Sequence, residues 1–266
     1  MARFCTLCSS SSGNSAYVGT ASYGVLIDAG TNNKQLLLSM ERAGISPDSI
    51  KAVFITHEHI DHVGALRVFA GARKIPVYAT GGTLAGLMSQ DILNGKFPYE
   101  KIMPSGVNIG DIHVSCFNTY HDSRESCGYK IILPDRTVGI CTDTGKVTGE
   151  MLRALGDCDL VLLESNYDDD LLDFGPYPPS LKARIRSEKG HMSNTLCASA
   201  ARELLGMGVR RFVLGHLSRE NNTPAMARNV VETALSAAGF APMLTVAPRD
   251  CLSQAFSVCR RGLCRK

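Results

Sequence analysis

His57, His59, Asp61 and His62 lie in the run His57-Glu58-His59-Ile60-Asp61-His62, which puts three imidazoles and two carboxylates into six positions. Imidazole and carboxylate together suit borderline or hard divalent metals, and Zn²⁺ and Mn²⁺ both accept such a set without thiolate. The run follows Ala52-Val53-Phe54-Ile55-Thr56, whose apolar and β-branched residues read as a buried strand. From a rigid strand end, His57 and His59 project to one side, while Asp61 and His62 open the next helix and face the same space. One loop can therefore serve two ions.

A site of that kind needs ligands from elsewhere, and other strand ends offer them. His121 ends the alternating stretch Ile109 to Tyr120, Asp143 follows the strand Thr137 to Cys141, and His216 follows the buried strand Val209 to Leu214. Their types and order suit two adjacent metals. His57, His59 and His121 would hold one, Asp61, His62 and His216 the other, and Asp143 would bridge. Asp28, at the end of the strand Tyr23 to Ile27, is either an orienting partner for a ligand histidine or a turn carboxylate. His113 lies on the opposite face of its strand and reads as a surface or packing residue.

The elements that carry these residues alternate as in a layered α/β fold. A hairpin joins Phe4 to Leu7 with Ala16 to Val18 across the turn-forming run Ser9 to Ser15. Helical spacing covers Asn32 to Ala43, Val63 to Gly71, Gly82 to Ser89, Thr195 to Gly206 and Met226 to Gly239. Pro76 to Ala79 and Leu160 to Leu163 read as strands, Gly128 to Leu133 and Thr137 to Cys141 as a hairpin, and Thr245 to Ala247 and Gln254 to Val258 as closing strands. Asp168 to Pro179 reads as a loop. No repeat or linker divides the chain, so residues 1–266 are expected to form one domain.

The 266 residues are 44% hydrophobic and 20% charged, with a net charge of +3. This is a globular mix whose mild basicity permits a polyanionic partner without requiring one. No apolar run reaches the length of a membrane span, and residues 1–20 lack a basic start before a hydrophobic segment, so a soluble, cytoplasmic protein without membrane insertion is expected. The ten cysteines sit mostly singly in apolar contexts and read as small core residues. Cys5 with Cys8 and Cys259 with Cys264 come nearest to zinc-ligand spacing, though the second spacing is loose and both pairs fall on expected strands.

Seven stretches stand out: Phe4-Cys-Thr-Leu7, Ser11-Ser-Gly-Asn14, Thr56-His-Glu-His-Ile-Asp-His62, His121-Asp-Ser-Arg-Glu-Ser-Cys-Gly-Tyr129, Thr142-Asp-Thr-Gly145, Gly190-His-Met-Ser-Asn194 and His216-Leu-Ser-Arg-Glu-Asn-Asn222. Together they resemble the metallo-β-lactamase superfamily, and within it the bacterial YycJ/WalJ branch. The resemblance implies a four-layer αββα sandwich with the site at one edge of two sheets, and a 5′-to-3′ exonuclease-like activity linked to DNA processing or cell-wall signalling. A histidine often stands in the family where this chain has Tyr167, and a tyrosine does not readily replace an imidazole ligand, so Tyr167 is given no metal role.

The chemistry that follows is phosphodiester hydrolysis. Water between two cations loses a proton at a pKa of about 7, and the cations stabilise charge on the phosphoryl oxygens. Asp61 would orient the nucleophile, and His191 would protonate the leaving oxygen or touch the scissile phosphate. Ser193 and Asn194 are read as substrate-binding, since the helix amides that follow them would hold a phosphate. Arg184 and Arg186 belong to the basic run Lys182 to Lys189, which reads as a phosphate-contacting arm or as a solvated helix face. DNA is the favoured partner. The alternatives are an RNase Z-like RNA nuclease, a small-molecule phosphodiesterase and a non-catalytic metal-binding regulator; the basic and histidine elements argue against a lactam.

Overall fold

The computed structural model describes residues 2–237 and 243–247, with the backbone alone of 256–259 and 262–264. The chain first builds β1 (Arg3–Ser10), β2 (Gly13–Gly19) and β3 (Gly24–Ile27). After α1 (Asn33–Arg42) come β4 (Ile50–Phe54), α2 (Ile60–Val63), α3 (Leu66–Arg73), β5 (Val77–Ala79), α4 (Gly81–Ser89) and β6 (Tyr99–Lys101). β1, β2 and β3 pair antiparallel, whereas β3 to β6 run parallel.

A second sheet begins with β7 (Val107–Ile109), β8 (Ile112–Asn118), β9 (Cys127–Leu133) and β10 (Arg136–Cys141), each antiparallel to the next. It continues through α5 (Gly149–Leu155), β11 (Leu160–Glu164), α6 (Asp169–Phe174), α7 (Pro179–Arg186), α8 (Asn194–Met207), β12 (Arg211–Gly215), α9 (Pro224–Ala237) and β13 (Met243–Val246). Here β10, β11, β12 and β13 are parallel. The chain then returns to the first sheet, where β14 (Phe256–Cys259) pairs with β1 and β15 (Gly262–Cys264) with β14.

Side-chain alternation explains the layering. Successive strand residues point to opposite faces, so a strand covered on both sides is apolar throughout. In β4, Ala52 and Phe54 join Val18, Ile27, Tyr129, Val138 and Leu160 in a core between the sheets. Val53 and Ile55 point the other way, to Leu36, Leu66 and Phe69 under the helices of the first sheet. Val161 and Leu163 of β11 do the same beneath α5, α8 and α9. The result is the four-layer αββα sandwich implied by the sequence.

Several boundaries differ from the sequence reading. The stretch Ile109 to Tyr120 is not one strand: Gly110 takes a φ of +56° and turns the chain between β7 and β8. The helix over Val63 to Gly71 is split, since α2 ends at Val63 and α3 begins at Leu66. The segment read as a loop contains α6, capped by Asp168, whose carboxylate accepts from the Asp170 and Leu171 amides. Gln254, Gly239 and the Cys259 and Cys264 side chains lie outside the described residues, and with them the zinc-like pairing to Cys5 and Cys8.

Candidate metal centre

The donors collect where strands end. His57 lies just beyond β4, His121 beyond β8, Asp143 beyond β10 and His216 beyond β12. Because β8 and β10 are both antiparallel to β9, they share a direction with β11 and β12, so these ends reach one edge of the second sheet. The two sheets are pinned together at this edge. Tyr129 donates its hydroxyl to the Ile55 carbonyl at 2.7 Å, and the Cys127 amide donates to the Thr56 carbonyl at 3.1 Å. The His216 amide donates to Ser9 Oγ at 2.9 Å.

Two clusters of donors meet across Asp143. His57, His59 and His121 bring ring nitrogens within 4.8 Å of one another, as do Asp61, His62 and His216 with their own donor atoms. Asp143 Oδ2 lies 3.3 Å from His62 Nε2, while its Oδ1 lies 3.4 Å from His216 Nε2 and 3.8 Å from His121 Nε2. One carboxylate thus faces both clusters. Asp143 and His216 both adopt φ of +56°, and Asp28 φ of +61°. A left-handed backbone at non-glycine residues costs about 1–3 kcal/mol each, and such strain gathers at functional sites.

Carboxylates behind the imidazoles set their orientation. Asp28 Oδ2 is 2.7 Å from His62 Nδ1, and Asp28 also accepts from the Thr56 amide at 2.8 Å and the Thr56 hydroxyl at 2.9 Å. Asp28 is therefore an orienting partner and not merely a turn residue. Glu164, fully buried at the end of β11, lies 2.7 Å from His191 Nδ1 and 3.1 Å from His216 Nδ1, and accepts from the Thr144 amide at 2.9 Å. Gly30 lets the Asp61 turn pack close, since a side-chain carbon there would collide with the Asp61 carbonyl.

The electrostatics follow from this packing. Burial disfavours the charged form of His216, yet Asp143, Asp61 and Glu164 outweigh it and raise its pKa to about 10. Burial likewise opposes ionisation of Glu164, but His191 and His216 hold its carboxyl below the usual range. His57 goes the other way: burial and then neighbouring imidazoles push it well below its ordinary value. Neutral imidazole is the form that binds a metal.

The donor set fits divalent metal. Asp143 Oδ2 and His216 Nε2 are buried atoms without a hydrogen-bond partner, and both point into the space shared by the clusters. Buried polar atoms are costly to leave unpaired, so a cation at that point resolves what the protein does not. A further cluster of Asp143, Glu164, His191 and His216 also lies within 4.8 Å. In it Glu164 bonds the Nδ1 atoms of both histidines, which assigns it the part of an orienting carboxylate.

His191 reaches the centre, with Nδ1 3.7 Å from Asp143 Oδ1. It precedes α8 by three residues. A cavity of about 170 Å³ opens beside it, lined by His121, Asp122, Tyr177, Arg184 and Ser218. Arg184 thus borders the site, its Nε 2.6 Å from Asp122 Oδ2. Three residues expected to meet a phosphate also have partners within the fold. Ser193 caps α8 by accepting from the Leu196 amide, and Asn194 is buried against Ser165 and Asn222, its amide given to the Tyr167 carbonyl. Arg186 pairs with Asp173.

Sequence reasoning gave no role to Glu164 or to Asn14, whose Nδ2 lies 3.3 Å from Asp61 Oδ2 and 3.1 Å from His62 Nε2. Glu164 carried one signal, a carboxylate ending an otherwise apolar strand. Asn14 belonged to a resembling stretch, Ser11 to Asn14, but its residue type alone does not separate it from an ordinary turn residue. His113, half-buried and bonded to Asn108, stays apart from the centre as expected.

Residues 23–217 match the model of the β-lactamase superfamily domain. The exodeoxyribonuclease YycJ of Bacillus anthracis is 33% identical over 241 residues, covering 89% of this chain and 90% of that protein. The exodeoxyribonuclease WalJ of Streptococcus pneumoniae is 32% identical over 239 residues, covering 89% of each. Among solved structures, zinc-bound PqqB of Methylobacterium extorquens superposes with a TM-score of 0.70 at 16% identity, over 94% of this chain and 99% of that one. The chain belongs to the β-lactamase superfamily and is a metal-dependent hydrolase with the metallo-β-lactamase fold.

Proposed function

We propose that this chain is a 5′-to-3′ DNA exonuclease that holds two divalent ions, zinc or manganese. The observation that carries the reading is the Asp143 carboxylate set between two clusters of donors. Its substrate class is taken from the relatives named exodeoxyribonucleases. His57, His59 and His121 would hold one ion and Asp61, His62 and His216 the other, with Asp143 between the two sets. A pair of divalent cations supplies Lewis-acid stabilisation of a phosphoryl group and a more acidic water.

The protein's own groups do the rest. Asp61 orients the attacking water, and Asn14 Nδ2 restrains the carboxylate that does so. His191 gives its Nδ1 to Glu164, which leaves Nε2 to donate a proton to the departing oxygen. Arg184, Tyr177 and the cavity they border receive the nucleotide next to the scissile bond. The buried thiols of Cys141, Cys158 and Cys197 suit a reducing compartment such as the cytoplasm.

The test is duplex DNA labelled at either end, incubated with Mn²⁺ or Zn²⁺ and the wild type or Asp61→Ala. Stepwise loss from the 5′ end by the wild type alone is the expected result. Cleavage of RNA but not DNA by the metal-loaded protein, or of neither, would overturn this assignment.

A further inference from the structure

Glu58 lies in the chain between two metal donors, His57 and His59, and is not itself among the donors that converge. Its side chain is buried, at 7% exposure, and α4 is shaped around it: a side-chain carbon on Gly86 would lie 2.6 Å from Glu58 Cγ. Gln90, just past the end of α4, donates Nε2 to the Glu58 carbonyl at 3.1 Å.

On its other side Glu58 meets the connection that carries His121. Oε1 accepts from the Arg124 amide at 2.9 Å. That connection is itself fastened to α4, since Thr80 donates its hydroxyl to the Glu125 carbonyl at 2.6 Å and the Gly82 amide donates to Glu125 Oε2 at 2.5 Å. The carboxylate is therefore fixed between the loop of His57 and His59 and the connection of His121, the three imidazoles of one cluster.

Hydrogen bonding does not explain why this residue is charged. Among the described residues its carboxylate takes one hydrogen bond, and Oε2 is a buried atom without a partner. A glutamine would fill the same space and accept from the Arg124 amide as well, without an unpaired charge in the interior.

The two donor clusters differ in the carboxylates around them. Asp61 stands in the cluster of His62 and His216, with Asp28 and Glu164 bonded behind those imidazoles. The cluster of His57, His59 and His121 contains no carboxylate. Asp143 is shared between the clusters, and Asp122, with Oδ1 3.2 Å from His121 Nε2, pairs with Arg184. Imidazoles bind a metal in their uncharged form, so this cluster brings no negative charge of its own to a cation. Glu58 has such a charge and no cationic partner in the protein to neutralise it.

We propose that Glu58 is the buried counter-charge for the ion that His57, His59 and His121 would hold. The proposal rests on the two-ion reading and gives a role there to a residue outside both donor sets. In a poorly screened interior a fixed negative charge beside three uncharged donors favours a divalent cation.

The experiment is binding of Zn²⁺, and of Mn²⁺ in parallel, in competition with a chelator and without DNA. Glu58→Gln keeps the size of the side chain and its acceptor for the Arg124 amide, and removes the charge. The substitution is made in the wild type, in Asp61→Ala, which disables one donor set, and in His59→Ala, which disables the other. In the wild type and in Asp61→Ala it should weaken binding of one ion by roughly ten- to a hundredfold, the range for a partner behind a metal ligand. In His59→Ala it should change nothing. The metal-free Glu58→Gln protein should unfold at the wild-type temperature or above it, because a buried unpaired charge has gone.

Unchanged metal affinity in Glu58→Gln would overturn the proposal, as would equal losses in the Asp61→Ala and His59→Ala backgrounds. Failure of this isosteric variant to fold, or a lower unfolding temperature without metal, would make the carboxylate a structural one and overturn it too. Metal affinity that depends on Glu58 in a protein that leaves DNA intact defeats the nuclease reading alone, whereas a wild type that takes up neither Zn²⁺ nor Mn²⁺ defeats both.

Discussion

The centre has two arms built on different principles. From the first sheet, His57, His59, Asp61 and His62 arrive in one short loop. From the second, His121, Asp143, His191 and His216 arrive from separate connections, brought together by the register of β8, β10, β11 and β12. The local arm depends on one strand end and on Asp28. The distributed arm depends on the whole sheet, on left-handed turns at Asp143 and His216, and on one buried carboxylate, Glu164, that grips two imidazoles. A metal centre can thus be half motif and half fold.

Asp143 is where the arms meet, and its replacement should have the largest effect. Asp143→Asn keeps the shape but removes the charge facing both clusters. Turnover should fall by roughly a thousandfold or more. On the proposed two-ion reading, metal analysis should show weakened binding of both ions. Loss of one ion with the other retained at full affinity would break the comparison, because Asp143 would then belong to a single arm.

The carboxylates behind each arm sharpen the same contrast. Replacing such a partner weakens metal affinity by about 10–100-fold. Glu164→Gln should lie towards the upper end of that range, since it disturbs His191 and His216 together, and Asp28→Asn towards the lower, since its remaining oxygen can still accept from the Thr56 amide and one imidazole, His62, loses its carboxylate. Competitive chelator titration of the two variants measures the order. A larger loss in Asp28→Asn would mean that the local loop, not the sheet, limits metal retention.

The local arm was the legible one. Its donors share a loop, so residue type and spacing alone point to metal, and the strand Ala52 to Thr56 supplies the geometry. Strand ends also announced His121, Asp143 and His216, because each follows an apolar run. Glu164 had no readable partner, since His191 and His216 lie far along the chain and only the alignment of β11 with β12 brings them to it. The sequence also does not show that Asn194 is buried, because the Tyr167 carbonyl that takes its amide lies on a separate connection. The turn at Gly110 was hidden because the apolar alternation continues through it.

Arg184 and Arg186 test the contrast at its weakest point, where neighbouring cations in one basic run meet different fates. Arg184 lies on the wall of the His191 cavity and pairs with Asp122, whose Oδ1 is 3.2 Å from His121 Nε2. Its removal takes away a cation and also bares a carboxylate beside the phosphate path. Arg186 instead pairs with Asp173 and donates to the Asp169 carbonyl, and exposed pairs of this kind contribute little to stability. Arg184→Ala should therefore raise KM several-fold and reduce the slope of log KM against log salt by about 0.7–0.9, the value for one phosphate contact. Arg186→Ala should stay within about twofold of the wild type, as surface substitutions usually do. If the two variants shift KM and its salt dependence equally, the run acts as a diffuse field, and the cavity wall gives Arg184 no special role.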